Sequence, residues 1–139
     1  MQQQVSVLTL GIADLVRSRR FYVEGFGWQP IFQNEDIVFY QMNGFVLGTW
    51  LETSLSADMG RKLVKPGAFA MGHNVPTRDA VQPTMDRLVK AGGRLLKAPT
   101  EPPHGGFTGY VTDPDDHAWE IAWNPAWAIS PSGMVTFGL

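Results

Sequence analysis

The sequence predicts an α+β fold made of two βαβββ modules, on three observations. The order strand, helix, three strands is readable twice along the chain. Each helix pattern is stopped by glycines, Gly25 and Gly27 in the first copy and Gly92-Gly93 in the second. A turn signal separates the last two strands of each copy, Asn43-Gly44 and then Asp113-Pro114-Asp115-Asp116. Two such units, each with one helix on one face of a half-exposed sheet, are expected to build a concave mixed sheet around a small-molecule pocket.

Module one is read over residues 4–53. Val5 to Gly11 alternates apolar and small or polar residues, the period of a strand. Asp14 offers an N-cap to a helix from Leu15 to about Glu24, with Leu15, Ser18, Phe21 and Tyr22 facing inward. Three strands follow, near Gln29 to Gln33, Asp36 to Met42 and Phe45 to Glu52. Residues 54–66 read as a linker loop with room for one helical turn. Module two spans 67–125. Its first strand is Phe69 to Val75, and Thr77 or Asp79 caps a helix running to about Ala91. Ala80, Val81, Met85, Leu88 and Val89 form that helix's inner stripe. Short strands Arg94 to Lys97, Phe107 to Thr112 and Ala118 to Asn124 complete it. Residues 126–139 form an aromatic, turn-rich tail that is expected to pack on the body.

The whole chain, 139 residues, has the size of a single domain. Eleven basic residues against thirteen acidic ones give a net charge of −2, which argues against a nucleic-acid partner. The absence of cysteine removes disulfides, thiolate nucleophiles and thiolate metal ligands. No apolar run reaches the roughly 20 residues of a membrane span, and the Met-Gln-Gln-Gln start has no signal-peptide character. A cytoplasmic protein without a membrane partner is the expectation.

Ile12-Ala13-Asp14-Leu15 followed by Ser18, Phe21-Tyr22 and Gly25-Phe26-Gly27-Trp28 resembles the opening of the vicinal oxygen chelate superfamily. That group includes glyoxalase I, bleomycin-resistance proteins, extradiol dioxygenases and fosfomycin-resistance enzymes. Ala91-Gly92-Gly93 and Asp113-Pro114-Asp115-Asp116-His117-Ala118-Trp119-Glu120 resemble its second half, so the likeness runs over about residues 5 to 125. The resemblance implies four metal-ligand positions, on the first and fourth strand of each module. They fall at Val7, near Gly48, near Ala70 and at Glu120. Only Glu120 is a ligand-type residue, whereas a divalent ion of the zinc or iron kind takes three or four protein ligands. A divalent metal cofactor is therefore disfavoured. His73 and His117 stand at odd spacing from Ala70 and Glu120, which turns them to the other face of their strands.

Alternation puts Val7, Thr9, Gly48, Trp50, Ala70, Asn74 and Glu120 on the pocket wall. That wall is small and apolar, with one aromatic face and one carboxylate. A carboxylate and an aromatic face both attract cations. The resemblance to bleomycin-resistance proteins implies a homodimer that binds an aromatic or planar cationic small molecule without a metal. The alternative is an enzyme of the glyoxalase, lyase, isomerase or dioxygenase kind, with Glu120 as general base or as the one retained metal ligand. Whether the modules pair within one chain or between two is left open by the sequence.

Overall fold

The computed structural model describes residues 1–137; Gly138 and Leu139, the end of the expected tail, lie outside the described residues. Module one consists of β1 (Val7–Ile12), α1 (Leu15–Arg20), a π-helical turn (Phe21–Gly25), β2 (Pro30–Gln33), β3 (Ile37–Gln41) and β4 (Val46–Leu51). Its sheet runs β1-β4-β3-β2, with β1 parallel to β4 and the other pairs antiparallel. After α2 (Glu52–Met59) comes module two: β5 (Met71–Asn74), a 3₁₀ turn (Arg78–Ala80), α3 (Val81–Lys90), β6 (Arg94–Thr100), β7 (Phe107–Thr112) and β8 (Ala118–Trp123). The second sheet repeats the first, β5-β8-β7-β6, again with its first and fourth strands parallel. The tail ends in a small hairpin of β9 (Ala128–Ile129) and β10 (Val135–Thr136). No helix among the described residues is long and apolar enough to cross a membrane.

Period-two alternation decides what each sheet buries. Leu10 and Ile12 on β1, Val38 and Tyr40 on β3, and Leu47 and Thr49 on β4 are buried on one face of the first sheet. Val111 on β7 with Trp119 and Ile121 on β8 are buried on one face of the second. Both inner faces belong to a single core that also takes Phe21 and Tyr22 from the π-turn and Val81, Met85 and Leu88 from α3. Tyr22 sits at its centre: its ring lies 5.6 Å from Tyr40 of the first sheet and 6.1 Å from Trp119 of the second. The helices therefore lie between the two sheets. Within one chain the sheets are not side by side, and their outer faces point away from the shared core.

Two devices lock this arrangement. The first is polar. Tyr22 Oη donates to Asp113 Oδ2 at 2.8 Å, while the backbone N–H groups of Asp115 and His117 donate to Asp113 Oδ1, each at 2.9 Å. Asp115 Oδ1 accepts from Ala13 N at 2.9 Å and Arg17 Nη2 at 2.6 Å, and His117 Nε2 donates to Gly11 O at 2.8 Å. The Asp113–Asp116 turn thus clasps the end of β1. Burial pushes the Tyr22 phenol well above its ordinary pKa, with the Asp113 charge adding to the effect, so it stays a donor. The second device is steric and reciprocal. A Cβ at Gly25 would stand 2.9 Å from Leu88 Cδ2, and a Cβ at Gly93 would stand 2.6 Å from the Phe21 ring and from Thr112 O. The glycine that ends each helix is the seat for the other module.

Several local expectations are corrected. The first helix narrows to a short α-helix and a π-turn, although Asp14 caps it as expected, accepting from Arg17 N at 2.7 Å. Thr77 and Asp79 make no capping bond, because the chain enters α3 through the 3₁₀ turn. Val89 is exposed, and Thr84 takes the buried place on α3. The linker carries two helical turns; Leu55 is the one buried residue of α2, so no apolar stripe marks it in the sequence. β5 starts at Met71, leaving Phe69 and Ala70 exposed before it. β6 continues to Thr100 through two register shifts.

Asp113→Ala strands the Tyr22 hydroxyl and two backbone N–H groups and should cost about 3 kcal/mol in urea unfolding, with Asp113→Asn costing less. Gly93→Ala overpacks the module seat and should cost about 2 kcal/mol by the same measurement.

Candidate functional site

The outer faces carry the residues left over by the core. On β8 the alternation that buries Trp119 and Ile121 turns Ala118, Glu120 and Ala122 outward. The strand register places Tyr110 of β7 on one side of Glu120 and Gly72 of β5 on the other. Thr108 Oγ1 donates to Glu120 Oε1 at 2.9 Å. A Cβ at Gly72 would find its nearest neighbour, Glu120 Oε2, only at 4.0 Å, so the glycine leaves space beside the free carboxylate oxygen. Burial raises the pKa of the Tyr110 phenol, and the charge and hydrogen bonding of Glu120 raise it further. The result is a carboxylate oriented by one hydroxyl, beside a phenol that keeps its proton at neutral pH.

The outer face of the first sheet is aromatic. Thr9 pairs with Gly48 and Gly11 with Trp50, while Phe39 flanks Gly48 from β3. The Phe39 ring lies over Gly48, where a Cβ would come within 2.9 Å of Phe39 Cε1. Trp50 Nε1 donates to Asp36 Oδ2, and Ser54 Oγ donates to Asp36 Oδ1 at 2.7 Å. The indole is thereby tethered to a carboxylate that Ser54 of α2 also orients. Around Gly11, a Cβ would meet Leu63 at 3.0 Å and Glu52 and Leu55 at 3.5 Å, so α2 and the linker wall off that end of the face.

The residues expected to line one pocket are therefore divided. Val7, Thr9, Gly48 and Trp50 share the outer face of the first sheet, and Asn74 and Glu120 share the outer register of the second. The helix layer separates the two groups within a chain. Ala70 lies one residue before β5 and is exposed. Sequence reasoning missed Thr108, Tyr110, Phe39 and Asp36. The first two were within reach, because the Asp113–Asp116 turn pairs Thr112 with Ala118 and so sets Tyr110 opposite Glu120.

The donor set does not fit a divalent metal at the positions implied by the resemblance. Val7 and Gly48 offer no side-chain donor, and Phe39 covers the second of them. Among the described residues no three His, Asp or Glu side chains are grouped to hold an ion. The histidines lie elsewhere. His73 pairs with Ile121 on the inner register, His104 is exposed in its loop, and His117 is buried in the clasp on β1.

The sequence pattern of the Glyoxalase/Bleomycin resistance protein/Dioxygenase superfamily matches residues 4–121 of the chain. A glyoxalase-related enzyme from Fulvimarina pelagi, known from its crystal structure, is 57% identical and superposes with a TM-score of 0.97 over 99% of this chain and 100% of that one. Lactoylglutathione lyase from Agrobacterium tumefaciens shares the fold at 17% identity, with a TM-score of 0.70 over 92% of this chain and 98% of that one. The metallothiol transferase FosB of Lysinibacillus sphaericus (strain C3-41) is 23% identical over 119 residues, covering 86% of this chain and 81% of that protein.

Burial, and secondarily Arg87, lowers the pKa of His73 below its ordinary value of 6.5. The unfolded chain then takes up a proton more readily than the folded one, so this group's contribution to stability is complete above pH 6.5 and lost as pH falls below it. Melting curves from pH 7 to pH 5 should show that decline in the native protein and a shallower one in His73→Leu. Gly48→Ala pushes against the Phe39 ring, and crystallography of the variant should find that ring displaced.

Proposed function

The chain belongs to the Glyoxalase/Bleomycin resistance protein/Dioxygenase superfamily, and from that premise we propose that it binds an aromatic, cationic small molecule without a metal, in a pocket completed by a second copy. The observation that carries this reading is the pairing of an oriented carboxylate with an aromatic wall on two outer faces that one chain holds apart. Glu120, braced by Thr108 and cleared on its other side by Gly72, supplies the charge. Trp50 and Phe39 supply flat apolar surface, on which a planar cation is attracted by the ring faces. Thr9 and Asn74 supply the polar contacts that set orientation. In a twofold homodimer the first sheet of one protomer lies beside the second sheet of its partner, and each dimer holds two such pockets. The cytoplasm, with a small-molecule ligand and neither nucleic acid nor membrane as partner, is the setting that fits this chemistry.

A second reading is supported by Tyr110. A carboxylate with a protonated phenol at its side can take a proton from a carbon acid at Glu120 while Tyr110 donates to the oxygen that gains charge. Such a reaction would be an isomerase or lyase step.

Titration of a planar cationic dye against the native protein should give saturable binding, and Glu120→Gln should weaken it at least about tenfold, the worth of about 1.4 kcal/mol. Trp50→Ala should do the same. Equimolar mixing of the two variants, with exchange of protomers, should restore about a quarter of the native sites, because a mixed dimer holds one intact pocket. Loss without restoration on mixing would place both residues in a pocket of one chain.

A further inference from the structure

A cavity of about 740 Å³ opens between the two modules, on the inner side of the sheets and at the end that the helices leave unfilled. Its volume falls in the range of small-molecule sites. Trp28 and Trp119, edge to face with ring centroids 5.6 Å apart, line it together with Leu47, and no lysine, arginine, aspartate or glutamate does. Ile129 and Val135 roof it from the tail hairpin. The family pattern ends at residue 121, so the roof belongs to a part of the chain that this pattern does not include. The lining takes in Gly72 and Asn74 at the edge of β5 but not Glu120, Thr108 or Tyr110.

His73 gives the cavity its chemistry. Its ring makes edge contacts with Phe26 and Trp28, at centroid distances of 5.2 and 6.3 Å, and none of the described residues hydrogen-bonds its nitrogens. A half-buried imidazole facing a cavity without a partner is a group awaiting one. Of the amides in the lining, Gln41 donates its Nε2 to the carbonyls of Met42 and Phe45 instead.

We propose that this cavity is a second ligand site, taking an uncharged aromatic molecule that carries a single hydroxyl or ring N–H able to hydrogen-bond His73. The rings of Trp28, Phe45 and Trp119 in the lining offer apolar aromatic surface to a ligand ring. The lack of any charged side chain selects against ions, whose desolvation nothing in the lining would offset. The tail hairpin then acts as the specificity-determining roof.

The test uses the full-length protein and 4-bromophenol, with 4-bromobenzoate as the charged counterpart. Calorimetry should show saturable binding of the phenol and at least tenfold weaker binding of the benzoate. Anomalous scattering from soaked crystals should place bromine in the cavity lined by Trp28, Leu47 and His73. His73→Leu should weaken phenol binding at least fivefold. Val135→Trp, on the exposed hairpin, should block it while leaving the melting temperature close to native, and it decides the matter should His73→Leu fail to fold. Glu120→Gln should leave phenol binding unchanged, which separates this site from the outer pocket. Absence of saturable binding, bromine found only beside Glu120, or a cavity filled by side chains of a second copy would each overturn the proposal.

Discussion

The bond from the Tyr22 hydroxyl to Asp113 joins a helix end of one module to a turn of the other inside a shared core. Neither group could be buried alone without losing its solvation, so each makes the other's position tolerable. The same tyrosine packs on Tyr40 and Trp119, one from each sheet. Polar and apolar contacts thus fix the same geometry: two sheets whose inner faces are turned toward each other. From that single decision the remainder follows. The inner faces are taken up by the core except at the cavity beside His73, and Glu120 and Trp50 are displayed on the outer ones.

That constraint orders the candidate chemistry. Alternation along Ala118–Trp123 cannot bury Trp119 and Ile121 without presenting Glu120 on the other side. The parallel pairing of β5 with β8 sets Gly72 beside the carboxylate, and the hairpin partner β7 sets Thr108 and Tyr110 there. In the first sheet the same logic presents Trp50 and Phe39. The proposed ligand contacts thus fall on residues whose orientation is inherited from the core, and their rigidity comes from strands rather than loops.

What was legible in the sequence was local. Two-residue periodicity assigned the faces of β1, β4 and β8, and Asp14, Asn43-Gly44 and the Asp113–Asp116 turn marked their own places. What escaped has a common physical form. Asp115 bonds Ala13 N across 102 positions, and no pattern near either residue announces it. Phe39 covers Gly48 only because β3 and β4 pair in one register, so the glycine read as open wall when it is roofed. The helix α2 turns a single side chain inward, which is too little for periodicity to register. The division of the pocket residues between two faces depends on how the modules dock, a property of tertiary packing.

Gly25 and Gly93 carry a consequence for how such a chain can change over generations. Each is the socket for a side chain of the opposite module, Leu88 in one case and Phe21 in the other. Most positions of the two modules are free to differ, but these pairs constrain one another. A smaller residue at 21 does not by itself make room at 93, where the Thr112 carbonyl also stands 2.6 Å from a Cβ, and a smaller one at 88 still leaves Ala91 3.1 Å from a Cβ at 25. The two modules are partners at four positions, and a swap of one module for a foreign one should succeed only when it keeps the glycine socket and the side chain that fills the other.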